Sequence, residues 1–136
     1  MSMLIMDENK TFISDNEFAN RLDLTSMVIP KTITNIGKNA FNGCSNMESI
    51  IIPDSVLTID ESAFEDCCQL KSIILPNSVL LLGKSVFLGC SKLQTLVLPD
   101  SLTELPRFMC AACSCLSSVT LPRRLLFIGK CAFMGC

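Results

Sequence analysis

Apolar and polar positions along this chain follow a pattern that repeats every 23 residues. The clearest marker of the period is a column of prolines, at Pro30, Pro53, Pro76, Pro99 and Pro122. A fixed period of this length is typical of proteins in which one small unit stacks on the next. Since a single unit cannot bury its own apolar side, neighbouring units must supply the core. The pattern therefore predicts a solenoid.

The segment that leads into each proline predicts a strand. Residues 47–52 show the pattern: the end of the segment is β-branched and its positions alternate between inward and outward. Pro53 ends this strand because proline has no N–H to donate to a ladder. Met47, Ile50 and Ile52 are predicted to point inward, as are their equivalents at each 23-residue step. The outward residues between them form a surface.

A second apolar pair follows each proline, as at Val56 and Ile59, and predicts a short extended segment on the opposite wall. Gly37 and its equivalents come next, where we expect a turn with positive φ. An aromatic column is predicted to fill the space between the walls, at Phe41, Phe64, Phe87 and Phe133. An αR turn or one turn of helix is expected around each of these phenylalanines.

The unit that begins at Pro99 departs most from the pattern. Pro106 replaces the turn glycine, and Cys110 replaces the phenylalanine. The sequence therefore predicts a local distortion, in which either Phe108 swings in as the filler or the aromatic column is left underpacked.

Composition limits the partners and the compartment. Hydrophobic residues make up 49% of the chain, charged residues 18%, and the net charge is -2 without a basic cluster. These values favour neither nucleic acid binding nor insertion into a membrane. The first ten residues lack the basic flank and the apolar length of a secretory signal, so the sequence as written predicts a cytoplasmic protein.

Nine cysteines raise the question of disulfides or metal. Five of them keep the 23-residue step, at Cys44, Cys67, Cys90, Cys113 and Cys136. Their odd number and the missing export signal favour reduced, buried thiols. Cys110, Cys113, Cys115 and Cys131 offer a zinc site as an alternative, but the chain has no histidine and two of these cysteines fall on repeat columns. We predict no metal and no cofactor.

Catalytic motifs are missing from the sequence. It contains no histidine and no tyrosine, no phosphate-binding glycine-rich loop and no Gly-x-Ser-x-Gly turn. The sequence therefore predicts that the protein is not an enzyme.

Leu-Pro, Ile-Gly, Ala-Phe and Gly-Cys recur at constant offsets over residues 24–136. In these residues the chain resembles the BspA-like, or Treponema-pallidum-type, leucine-rich repeats. The asparagine of generic leucine-rich repeats is absent from its column, where Ser55 and Ser78 stand. The resemblance implies a right-handed, curved, β-rich solenoid with a parallel sheet on its concave face. It also implies protein binding, adhesion or scaffolding, a place at the cell surface, and no catalytic residues.

Two regions follow from the repeat frame. Residues 1–29 are predicted to be a degenerate N-terminal capping repeat, because Ile13, Phe18 and Leu24 keep apolar columns while Arg21 stands in the cysteine column. Residues 30–136 are predicted to be the leucine-rich repeat array, with four full repeats and a C-terminal half repeat. That half repeat is uncapped, which predicts either a truncated array or a covered end, and self-association is a candidate.

The outward positions of the strands are the candidate binding site for a protein partner. Small hydroxyl residues stand beside β-branched residues on a flat surface, and exposed apolar stripes often mark binding. The simpler interpretation is that these residue types favour strands. The alternative function is a structural spacer in a longer repeat protein. The predicted binding residues are Ser26, Val28, Ser49, Ile51, Ser72, Ile74, Thr95, Val97, Ser118 and Thr120.

Overall fold

Eleven short strands and the turns between them make up the fold in residues 6–136, which are the residues that this computed structural model describes. Residues 1–5 of the predicted capping repeat lie outside the described part. The strands are β1 (Phe12–Ile13), β2 (Ser26–Val28), β3 (Asn35–Ile36), β4 (Ser49–Ile51), β5 (Thr58–Ile59), β6 (Ser72–Ile74), β7 (Leu81–Leu82), β8 (Thr95–Val97), β9 (Glu104–Leu105), β10 (Ser118–Thr120) and β11 (Phe127–Ile128).

The strands form two walls. The even-numbered strands lie before the prolines and form the concave sheet, while the odd-numbered strands lie after them and form the back wall. All pairs are parallel, and each residue pairs with its equivalent one unit away, as Ser26 does with Ser49 and Ile36 with Ile59. The predicted solenoid with a 23-residue repeat is confirmed. In residues 6–136 no helix is long and apolar enough to cross a membrane.

Phenylalanine rings stack along the axis between the two walls. Ring centroids are 5.3 Å apart for Phe18 and Phe41, 5.3 Å for Phe41 and Phe64, and 5.8 Å for Phe64 and Phe87. Their planes differ by 17°, 2° and 15° respectively, and Phe41, Phe64 and Phe87 are fully buried. These rings are the largest side chains in the core, so the predicted aromatic column is confirmed at Phe41, Phe64 and Phe87. Phe133, its fourth predicted member, is half-buried and stacks on no other ring within residues 6–136.

Each phenylalanine of the aromatic column lies in short turns and not in a turn of helix, so of the two alternatives from the sequence the structure has the turn. Backbone hydrogen bonds close successive short turns, from Ala40 N–H to the Gly37 carbonyl and from Cys44 N–H to the Phe41 carbonyl. The same segments also bond to the next coil, as Phe41 N–H does to the Ala63 carbonyl at 2.8 Å. A helix would direct its N–H groups along its own axis, whereas these turns can donate to a neighbour.

The predicted positive φ at Gly37, Gly83 and Gly129 is wrong. Positive φ occurs instead at Asn39 and at Gly43, with equivalents in every coil. Gly37 is needed for space, because a Cβ there would lie 2.8 Å from the Ile13 carbonyl oxygen. Gly37 N–H donates to that same carbonyl at 2.8 Å. The glycine therefore lets two coils approach closely on the back wall.

Pro106 interrupts the back wall. Each equivalent residue donates its N–H to the preceding coil, as Gly83 does to the Ile59 carbonyl and Gly129 to the Leu105 carbonyl, both at 2.8 Å. Pro106 has no N–H for the Leu82 carbonyl. The back wall accordingly divides into the sheet β1-β3-β5-β7 and the pair β9-β11. The distortion that the sequence predicted for this unit is located here.

Neither prediction for the aromatic column in this unit is confirmed. Phe108 remains partly exposed beside Arg107, with the guanidinium 5.7 Å from the ring centroid, and does not enter the core. Cys110 occupies the phenylalanine position, and Met109 occupies the position of the small Ala63. Both are fully buried. The larger methionine supplies volume that the smaller cysteine lacks.

The last coil is more exposed than the coils before it. Leu121 and Ile128 were expected to point inward, but they are 47% and 49% exposed. They belong to the terminal coil of the stack, so only one side of each has a neighbouring coil.

Candidate functional site

The concave sheet presents two outward residues from each strand. In β4, Ser49 and Ile51 are exposed while Ile50 between them is buried, because successive side chains of a strand point to opposite faces. The same pattern holds in β6 and β8. The structure thus brings the predicted binding residues together on one face.

Nine of the ten predicted binding residues are exposed, and Ser26 is half-buried. They form a hydroxyl row of Ser26, Ser49, Ser72, Thr95 and Ser118, beside a row of Val28, Ile51, Ile74, Val97 and Thr120. We call the first four members of the second row, Val28, Ile51, Ile74 and Val97, the apolar stripe. Their exposed fractions are 52%, 60%, 67% and 37%.

The concave sheet is not continuous, although the resemblance implied one parallel sheet on this face. One part pairs β2 with β4, and the other has the order β6-β8-β10. Glu48 N–H donates to the Thr25 carbonyl and Gln94 N–H to the Lys71 carbonyl, both at 2.8 Å. Within residues 6–136, Lys71 N–H has no such bond to the Glu48 carbonyl, nor Ile52 N–H to the Ile74 carbonyl. No residue at this break lacks an N–H, so the sequence held no signal for it.

A cavity of about 380 Å³ lies over this break. We call it the slot, and it is lined by Ser49, Ile50, Ile51, Ile52, Asp54, Ser72, Ile73, Ile74 and Pro76. Ile50 and Ile52 are each 7% exposed, whereas their equivalents Met27 and Ile29 are at 1% and 2%. The slot therefore reaches the side chains that the other strands cover completely.

Charged residues border the slot and the neighbouring part of the face. Asp54 lines the slot and also a second cavity of about 410 Å³ over β8. Asp100, its equivalent two coils on, accepts the Arg123 N–H at 2.9 Å and lies 3.5 Å from the Arg123 Nε. In residues 6–136, Asp54 forms no comparable ion pair.

The cysteines do not converge on a metal site in the described part of the chain. The repeating thiols point to backbone carbonyls of an adjacent coil: Cys67 Sγ lies 3.2 Å from the Phe41 oxygen and Cys90 Sγ 3.1 Å from the Phe64 oxygen. Cys115 is exposed, and no group of three or more potential ligands occurs in residues 6–136. Burial raises the pKa of Cys67 and of Cys90 well above the ordinary thiol value.

These S–H···O contacts recur along the stack and were not foreseen. We call the residues Cys44, Cys67, Cys90, Cys113 and Cys136 the thiol ladder. Each donates across a separation of 26 residues, to a phenylalanine carbonyl in four cases and to the Cys110 carbonyl in the case of Cys136. The 23-residue step of the cysteines was the available signal, and it indicates a structural role in each coil.

Comparison with known families identifies the repeat. The model of the BspA type leucine-rich repeat region matches residues 11–136 with six copies. The chain belongs to the BspA-type leucine-rich repeat family. In the structure this repeat gives parallel strands before the prolines, phenylalanines stacked from Phe18 to Phe87, and buried thiols from Cys44 to Cys113.

Several solved structures of bacterial leucine-rich repeat proteins are similar to the structure of this chain. A leucine-rich cell surface protein from Faecalibacterium prausnitzii matches at 25% identity and a TM-score of 0.82, over 87% of this chain and 31% of its own. The T. pallidum leucine-rich repeat protein matches at 25% identity and a TM-score of 0.71, over 93% of this chain and 70% of its own. A leucine-rich repeat protein from Bacteroides ovatus matches at 31% identity and a TM-score of 0.67, over 91% of this chain and 38% of its own.

The chain thus spans about a third of the length of the Faecalibacterium protein. The pneumococcal vaccine antigen PcpA is also similar, at 25% identity and a TM-score of 0.67, over 90% of this chain and 31% of the antigen. No curated protein matches this chain.

Proposed function

We propose that the protein is a non-catalytic interaction module whose concave sheet binds another protein. The observation that carries this proposal is the apolar stripe, in which four branched aliphatic side chains between 37% and 67% exposed stand in one row. Isolated exposed apolar residues are ordinary on protein surfaces, but a contiguous row is typical of interaction sites.

The neighbouring hydroxyl row suits the same role. Serine and threonine hydroxyls donate and accept hydrogen bonds, so they can match polar groups at the border of an apolar contact. The strands that carry both rows are fixed by neighbours in the stack. A preformed surface loses little conformational freedom on binding, which favours affinity.

Adhesion at a cell surface is the setting we propose for this binding. Support comes from similar structures, which include a protein described as a cell surface protein and a vaccine antigen. The first ten residues predicted a cytoplasmic protein instead. Antibody labelling of intact cells distinguishes the two, because only a surface protein is labelled before the cells are opened.

Lysine substitutions test the binding face. A partner retained by the intact chain should lose affinity for the triple variant Ile51→Lys, Ile74→Lys and Val97→Lys, since each change removes apolar contact and adds a charge. The matched control is Leu57→Lys, Leu80→Lys and Leu81→Lys, because these back-wall residues are 44%, 58% and 58% exposed. Circular dichroism checks that both variants fold. Equal affinity of the two variants would contradict the proposal.

A structural spacer in a longer repeat protein is the second candidate. It is favoured by the coverage of the Faecalibacterium protein, of which the matching region is only 31%. In a spacer, partner binding would follow flanking segments of the parent protein. Deletion of this region from the parent, with the flanks retained, should then leave binding intact.

Self-association through the last coil is a further proposal about partners. Leu126, Phe127 and Ile128 are 85%, 61% and 49% exposed on the terminal coil, and β11 has a strand partner on one side only. Sedimentation should show concentration-dependent association that Phe127→Lys abolishes. A wild-type chain that is monomeric at every concentration would contradict it.

A further inference from the structure

We propose that the slot between β4 and β6 is the anchor of the concave face, and that it takes a protein segment bearing a bulky apolar side chain beside a basic one. This inference rests on the proposed binding function of the concave sheet. It assigns the main contact with the partner to one break in that sheet. Without such an anchor, the contact would be spread evenly over the concave face.

The first argument is the apolar surface that the slot offers. Ile51 and Ile74 flank it and are the most exposed members of the apolar stripe, at 60% and 67%. Ile50 and Ile52 below them are at 7%, so an entering side chain meets apolar atoms beneath it as well as beside it. Energetic hot spots at interfaces lie in such pockets, where the contact is desolvated on several sides.

The second argument is the size of the slot. Its volume of about 380 Å³ is near the lower limit of pockets that hold small molecules. This volume is larger than one leucine or phenylalanine side chain, so it leaves room for such a side chain together with part of the segment that carries it. The slot can therefore take a projecting apolar side chain of a partner segment.

The third argument is the unpaired polar groups at the slot. Within the described residues, Ile52 N–H has no hydrogen bond to β6. Asp54 lines the slot without an ion pair, whereas Asp100 is engaged by Arg123. A lysine or arginine of the partner would complement this free carboxylate. An acidic partner would be repelled by it.

Titration of the whole protein with short peptides tests the proposal. The probe is acetyl-Arg-Leu-Leu-Arg-amide, and its charge-reversed match is acetyl-Glu-Leu-Leu-Glu-amide. Isoleucine methyl groups are labelled and followed by NMR. We expect saturable shifts at the methyl groups of Ile50, Ile51, Ile52 and Ile74 with the basic peptide, and affinity at least about threefold weaker with the acidic one.

Variants assign the binding to the slot. Ile74→Lys should weaken binding of the basic peptide by at least about tenfold, and Asp54→Asn by about threefold. Val28→Lys, on the same stripe but away from the slot, should weaken binding much less than Ile74→Lys. The matched controls are Leu80→Lys, at an exposed back-wall position outside the concave face, and Asp100→Asn, at an equivalent carboxylate that is already paired. Both controls should bind like the wild type. Isoleucine methyl spectra without peptide confirm that each variant is folded.

Several outcomes would overturn the inference. Equal weakening by Val28→Lys and Ile74→Lys would show binding spread over the stripe, which overturns the anchor but keeps the proposed function. Equal affinity for both peptides would overturn the basic partner. Shifts at the slot that grow with protein concentration in the absence of peptide would mean that a second copy occupies it. No shift on the concave face would overturn the slot, while the lysine test with the retained partner still decides the proposed function.

Discussion

The coil around Phe64 and the coil around Cys110 follow the same backbone path but fill the core differently. Phe64 stacks between Phe41 and Phe87 above a small alanine, Ala63. In the other coil Met109 takes the alanine position and Cys110 the phenylalanine position, both fully buried. The total apolar volume is partly restored by the exchange, which cores tolerate better than a simple loss.

Backbone hydrogen bonds explain why the path is preserved. Phe64 N–H donates to the Val86 carbonyl at 3.0 Å, and Cys110 N–H donates to the Ala132 carbonyl at 2.7 Å. These bonds do not depend on the side chain at the position. The comparison teaches that the turns of each coil are held by their neighbours, while the side chains between the walls can exchange volume.

Truncation of the aromatic column should have the largest effect. Phe64→Ala removes a buried ring that stacks on two others, so we expect the free energy of unfolding to fall by about 4 kcal/mol. Cys110→Ala removes one sulfur atom from the irregular coil and should cost about 1 kcal/mol. Urea unfolding measures both. Similar losses for the two variants would mean that the irregular coil is packed as tightly as the regular ones.

Loss of the close approach between coils on the back wall should have the next largest effect on the free energy of unfolding. A Cβ at position 83 would overlap the backbone of Asp60 and Glu61, so Gly83→Ala should cost about 2 kcal/mol. Asp60→Ala is the matched control in the same column, where a Cβ is already accommodated, and should cost less than about 1 kcal/mol. Thermal unfolding of both variants provides the measurement. If the two lose the same stability, contact between coils is not what requires glycine.

Restoring the backbone N–H that is missing at Pro106 should have a smaller effect on the free energy of unfolding. Pro106→Ala returns an N–H opposite the Leu82 carbonyl, and a new hydrogen bond contributes about 1 kcal/mol. Loss of the rigid proline ring offsets part of this gain by stabilising the unfolded chain. We therefore expect a net gain below about 1 kcal/mol. Amide exchange should show protection at position 106; rapid exchange there would show that Pro106 is not the cause of the break.

Ionisation of the thiol ladder should leave the free energy of unfolding unchanged at neutral pH and lower it increasingly in alkali. Burial raises the pKa of Cys67 and Cys90 in the folded state, so the unfolded chain loses these protons first as the pH rises. The stability they contribute is present below about pH 9, the ordinary thiol value, and falls above it. Urea unfolding between pH 7 and pH 10.5 should show this decline, and Cys90→Ala should reduce it. An unchanged decline in that variant would assign the pH dependence to other groups.

The sequence predicted which residues of the candidate site point outward. Alternation within residues 47–52 placed Ser49 and Ile51 outside and Ile50 inside, and the structure agrees. The same rule located the equivalent residues of the other strands. It did not reveal the slot, because a break between β4 and β6 depends on how two coils sit against each other, and both have complete N–H groups.

The sequence by itself determined the repeat, the two walls and the aromatic column, because a constant 23-residue step stacks equivalent residues on one another. It also located the irregular unit, since proline cannot donate a hydrogen bond. The tertiary structure alone decided the reason for Gly37, the exchange of Met109 and Cys110, and the thiol ladder. Each of these depends on distances between coils, which a pattern along one chain does not contain.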